Sequence, residues 1–93
     1  MRIISRRRLR LFAGRYLDAK RPLDDWYAIV RGVDWRAPAD VKATFGNASF
    51  VGDVVAFDIG GSKYRLTVNI RHRYHVVYIR TVMTHREYDT RDL

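Results

Sequence analysis

"SKYRLTVNIRHRY", residues 62–74, decides the fold. Read with a period of two, Tyr64, Leu66, Val68 and Ile70 point one way, and Lys63, Arg65, Thr67, Asn69 and Arg71 point the other. The first set requires a core. The second is more basic than solubility needs, and arginine and lysine in a row along one strand face suit phosphate.

Register follows from the flanking turns, because a slip of one residue would turn every side chain over. A two-residue turn at Gly61-Ser62 sets Ile59 opposite Tyr64, Phe57 opposite Leu66 and Val55 opposite Val68, all apolar pairs. The other face then carries Asp58 beside Arg65, a cross-strand ion pair. A four-residue turn "HRYH" (72–75) pairs Ile70 with Val77, Val68 with Ile79, Leu66 with Thr81 and Tyr64 with Met83. On the polar face Asn69 meets Tyr78, Thr67 meets Arg80, Arg65 meets Val82 and Lys63 meets Thr84. From residue 48 onward "ASFVG", "VVAFDIG", "KYRLTVNIR" and "HVVYIRTVMT" read as an antiparallel meander.

Upstream the period changes to that of helices. After a short apolar strand candidate, "MRII", Ser5 is placed to cap a helix over roughly 6–18, with Leu9, Phe12, Ala13, Tyr16 and Leu17 facing inward. Arg6, Arg7, Arg8 and Arg10 fall on its outer side, as a solvated face or as a phosphate-contacting patch. A second helix is announced by "RPLDDWYAIVRG", with Leu23, Trp26, Tyr27 and Val30 as its stripe. Trp26 and Trp35 read as core rather than as base-stacking groups. "APADVKATFG" gives a third helical turn. Helices followed by strands predict an α+β fold: one domain over residues 1–93, with N-terminal helices packed on a small antiparallel sheet.

Composition sets the class of partner. Eighteen Lys and Arg against ten Asp and Glu give 93 residues a formal charge of +8, and arginine outnumbers lysine fifteen to three. Such a balance favours an anionic partner, nucleic acid first. With no cysteine there is no disulfide framework and no thiolate chemistry. The three histidines lack metal-ligand spacing, so neither a metal site nor a cofactor is expected. No apolar run is long enough to cross a bilayer, so the expectation is a cytoplasmic protein without a membrane partner.

"THREYD" (84–89) follows the last strand, and His85 would leave the sheet within reach of Lys63 and Arg65, with Tyr88 returning over the same surface. Cleaving RNA without a metal requires a base for the 2′-OH, cations for the phosphate and an acid for the 5′ oxygen. His85 can be base or acid, Arg65 and Lys63 suit the phosphate, and Tyr88 can donate a proton or stack on a base. Asn69, Arg71, Arg73 and Arg80 are placed to hold flanking RNA. A histidine after a strand is also an ordinary surface or capping residue, and a non-catalytic basic RNA-binding module, or a partner for an acidic protein, would satisfy the same charge.

The stretch "FDIGGSKYRLTVNIRHRYHVVYIRTVMTHREYD" (57–89), with "MRIIS", "DWY" and "WRAPADVKATFGNASFVGD" (35–53), resembles the HigB family of type II toxin–antitoxin systems. "KYRL" and "THREYD" at this separation carry the resemblance; the usual forms, "GNKYRL" and "THAEYDKI", differ here at Ser62 and Arg86. It implies a RelE-like α+β toxin that cuts mRNA, often on the translating ribosome. It also implies a HigA-type helix-turn-helix antitoxin, which would block the polar face or its approach and through which alone operator DNA would be met. Lys63, Arg65, His85 and Tyr88 match the family pattern, and Glu87 and Asp89 are assigned to structure or positioning.

Overall fold

The computed structural model describes residues 1–90. Along the chain lie β1 (Arg2–Ile4), α1 (Arg7–Arg15), a 3-10 turn (Leu17–Ala19), α2 (Lys20–Gly32) and α3 (Pro38–Thr44). They are followed by β2 (Ser49–Val51), β3 (Val54–Ile59), β4 (Tyr64–Arg71), a 3-10 turn (His72–Tyr74), β5 (Val76–Thr84) and α4 (His85–Thr90). The strands form one sheet in the order β1-β5-β4-β3-β2. β2 to β5 are the expected antiparallel meander, but β1 pairs in parallel with β5, Ile3 opposite Val77, which makes the sheet mixed. Parallel neighbours need a long crossover, and the intervening helices supply it.

One face of the sheet is the core. Val55, Phe57, Ile59, Leu66, Val68 and Ile79 are buried there against Leu9, Leu23, Trp26 and Val30 from the helices. Phe57 is fully buried between Trp26 and Trp35, whose ring centroids stand 5.5 and 6.2 Å away. Burying such a ring stabilises by roughly 1.5–3 kcal/mol, which is why both tryptophans serve packing.

The β3–β4 register is the one the apolar alternation demands, from Val55↔Val68 to Ile59↔Tyr64. Its turn differs in detail: the residues at positive φ are Gly60 and Gly61, and Lys63 N–H closes the turn on Gly60 C=O. The β4–β5 register holds only near the 72–75 turn, through Val68↔Ile79. An extra residue, Arg80, then bulges, and the pairs become Thr67↔Thr81, Leu66↔Val82, Arg65↔Met83 and Tyr64↔Thr84. This corrects the expected Leu66–Thr81 and Tyr64–Met83 pairs. Without the bulge Thr81 would sit in the apolar core and Val82 on the polar face. With it Thr81 Oγ1 meets Thr67 Oγ1 at 2.6 Å and Val82 packs inward.

Two helical expectations also change. Ser5 has φ 73° and makes no side-chain cap; its carbonyl instead accepts Arg8 N–H. α1 ends at Arg15 because Tyr16 turns extended (φ −123°, ψ 91°), so Leu17 leaves the stripe and is 78% exposed.

Candidate active site

The polar face of β3 and β4 holds a charge pair. Asp58 and Arg65 lie directly opposite each other, and Arg65 Nη1 stands 3.0 Å from Asp58 Oδ1 with the side chains only 13% and 21% exposed. The contact is electrostatic rather than an aligned hydrogen bond: among the described residues neither Arg65 Nε nor Nη1, both buried, has an aligned acceptor. Taking away one partner of a mostly buried pair costs about 3–5 kcal/mol, because the other charge is stranded.

The bulge at Arg80 sets which residues join this pair. Counting from Thr81, the polar-face positions of β5 are Thr81, Met83 and then His85, whose backbone N–H donates to Lys63 C=O at 2.9 Å. An unbulged strand would have aimed His85 at the core side. His85 Nε2 is instead 3.9 Å from Asp58 Oδ1. One turn along α4, the Tyr88 ring lies 4.6 Å from Arg65 Cζ and 6.3 Å from the His85 ring.

Thr84 and Glu87 start α4 as a capping box. Glu87 N–H donates to Thr84 Oγ1 (3.1 Å), while Glu87 Oε1 accepts from Thr84 Oγ1 and N–H at 2.9 and 3.3 Å. The T-x-x-E spacing in "THREYD" is the sequence signal for it, and it assigns Glu87 to positioning. The side chain of Asp89 lies outside the described residues.

Three of the four residues expected at the chemistry, Arg65, His85 and Tyr88, therefore meet, and Asp58 joins them. Lys63 does not. Its ammonium reaches the other way, to Asp18 Oδ2 at 3.0 Å, and the Tyr64 hydroxyl donates to Asp18 Oδ1. These two bonds, Tyr64 first, hold the Asp18 carboxyl below its ordinary range. The bond to Asp18 in turn pushes the Tyr64 phenol up to about 12. Asp18 lies 46 residues before Tyr64 on an exposed turn, with no periodicity to announce it.

The expected RNA-holding groups are spread out. Arg71 and Arg73 are exposed at the far end of β4, about 20 Å from Arg65 at the usual strand rise. Asn69 lies between: its amide donates to Asp53 C=O (2.9 Å) and accepts from Arg80 Nη1 (3.0 Å). His72 bonds Trp35 C=O at 2.9 Å and His75 pairs with Asp34 at 2.6 Å, so both tie the 72–75 turn to the segment after α2. Among the described residues no cluster of three or more His, Asp or Glu could hold a metal ion, and no helix is long and apolar enough to cross a membrane.

The HigB toxin family, described as the RelE-like toxic component of a toxin–antitoxin system, matches residues 19–91. The chain belongs to this family. It is also 28% identical over 92 residues to the mRNA interferase toxin HigB of Escherichia coli K12, covering 96% of this chain and 88% of that protein. The mRNA interferases HigB of Escherichia coli O157:H7 and Shigella flexneri match to the same extent. The whole of the Asp58–Arg65–His85–Tyr88 cluster falls inside the matched HigB stretch, while α1 lies ahead of it. Membership in HigB gives the protein an antitoxin as its partner.

Proposed function

We propose that the protein is an mRNA endoribonuclease that works without a metal in the cytoplasm, on the translating ribosome, and is silenced by a HigA-type helix-turn-helix antitoxin through which it meets operator DNA. The convergence of His85, Arg65 and Tyr88 over Asp58 is the observation that supports this reading. His85 takes the proton from a 2′-OH, whose oxygen attacks the adjacent phosphorus. The bond to the 5′ oxygen breaks, Tyr88 protonates that oxygen, and a 2′,3′-cyclic phosphate remains. Arg65 neutralises charge building on the phosphate. A phosphodiester would supply the aligned acceptor that buried Nε and Nη1 lack among the described residues, with the Tyr88 ring sliding off the guanidinium to admit it. Asp58 holds Arg65 in place and stands 3.9 Å from His85 Nε2. Asn69, Arg80, Arg71 and Arg73 form a track for flanking RNA, and Lys63 serves as a clasp to Asp18.

The test is cleavage of RNA by purified protein with and without ribosomes and with EDTA. We expect cleavage that survives EDTA, is strongest on ribosome-bound message, and falls on the order of 10²–10⁴-fold in His85→Ala and less in Tyr88→Phe. RNA left intact in every condition but bound tightly would make the protein a binding module. Loss of cleavage with EDTA would overturn the metal-free chemistry.

A further inference from the structure

On the side of the molecule away from Arg65 and His85, α1 and α2 leave an open seam. It is a groove of about 330 Å³ lined by Leu9, Ala13, Leu23 and Tyr27, with the exposed Leu17 at its edge. Its rim is cationic: Arg6, Arg10 and Lys20 border it, and it runs on into a depression that adds Arg31. Arg6 is braced there, its Cζ 3.9 Å above the Tyr27 ring, so the guanidinium edge stays available. Asp24, the acidic residue of the rim, is neutralised by Lys20 at 2.9 Å. Facing pairs at helical spacing, Leu9/Ala13 and Leu23/Tyr27, present the seat that a third helix fills in a bundle.

We propose that this groove is the docking site for an amphipathic helix of the antitoxin, with apolar residues at i, i+3 or i+4 and i+7 and Asp or Glu on both flanks. The inference rests on the toxin–antitoxin membership and not on the cleavage chemistry. Charge complementarity selects this occupant: a second copy of a chain carrying +8 would bring like charge to the same arginines. The site lies across the sheet from the Asp58–Arg65 pair, so this helix would grip the toxin outside the hollow and leave the silencing of the polar face to the rest of the antitoxin.

Gly14 makes the idea testable. It lies in the groove wall inside α1, and a Cβ added there meets nothing within 4 Å. Gly14→Leu should therefore fold, gain helix propensity, and fill the seat. Binding of the full-length toxin to the antitoxin from its own operon is measured by titration calorimetry for wild type, Gly14→Leu and Arg10→Glu, beside RNA cleavage by each free toxin. We expect both variants to cleave RNA like wild type and to bind antitoxin about tenfold more weakly or worse, a change easily resolved. Unchanged affinity in both variants overturns the proposal. So does a wild-type toxin that self-associates through this seam, or binds anionic vesicles through it, with antitoxin affinity intact. A wild-type protein that cuts no RNA yet loses antitoxin affinity in the variants would sink the cleavage reading alone.

Discussion

The two hairpins that share β4 are built on different rules. The β3–β4 hairpin pairs six residues without interruption from Val54 to Ile59, so one face stays apolar and Asp58 meets Arg65 squarely. The β4–β5 hairpin begins equally regularly at Arg71↔Val76 and then shifts by one between Thr67 and Val68. The regular hairpin therefore fixes a cation, and the irregular one re-aims a histidine at it. A bulge is a cheap device for this, because one extra residue reverses the facing of everything that follows.

Exchanging the alternation with the double substitution Thr81→Val and Val82→Thr would break the contrast most severely. β5 would then pair without a bulge, with position 81 apolar against Leu66 and position 82 polar beside Arg65, and His85 would turn away from Asp58. Cleavage should fall to the level of His85→Ala, whereas deletion of Arg80, which keeps Thr81 opposite Thr67, should leave His85 facing Asp58; a doubly substituted protein with wild-type turnover would show that the bulge does not position the histidine.

The regular hairpin can be probed through its charges. Arg65→Ala should abolish cleavage and destabilise by about 3 kcal/mol, since Asp58 is left nearly buried without its partner. Adding Asp58→Ala should restore much of the stability in a denaturant titration and none of the activity. That split would separate the pair's structural part from Arg65's part in the chemistry.

The smallest effect concerns the clasp that ties the turn after α1 to the start of β4 through Asp18. Asp18 has its pKa lowered in the folded chain, so its contribution is present above the ordinary value of 3.8 and is lost as pH falls through the lowered value. Tyr64 has its pKa raised, so its contribution is full below 10.0 and disappears as pH rises from there through about 12. Asp18→Asn should flatten both limbs of a stability–pH curve while leaving cleavage near neutrality largely in place. Retained limbs would remove this clasp from the account.

The same contrast explains what could be read from the chain. Strict alternation in "VVAFDI" and "YRLTVNIR" with two glycines between them leaves one register for β3–β4, so Arg65 and Asp58 were legible together. In β5 the alternation yields only once, at Thr81, and a single threonine opposite Leu66 is a faint sign of a bulge. Lys63 was misplaced for another reason: an exposed lysine chooses its partner by proximity in three dimensions, and Asp18 lies on a turn whose position depends on how α1 ends. Leu17 belongs to the same uncertainty, since nothing in the helical stripe marks the break at Tyr16. Glu87 was legible in principle, through the threonine three residues before it.

The most direct measurement follows the three histidine rings by NMR as the protein is titrated with an RNA oligonucleotide carrying a single 2′-deoxy substitution at the cleavage position, which binds without being cut. If the bulge assembles the hollow, the His85 resonances move together with those of Arg65 and Tyr88, while His72 and His75 stay where they are. Shifts confined to His72, His75 and their neighbouring arginines, with His85 unmoved, would contradict it.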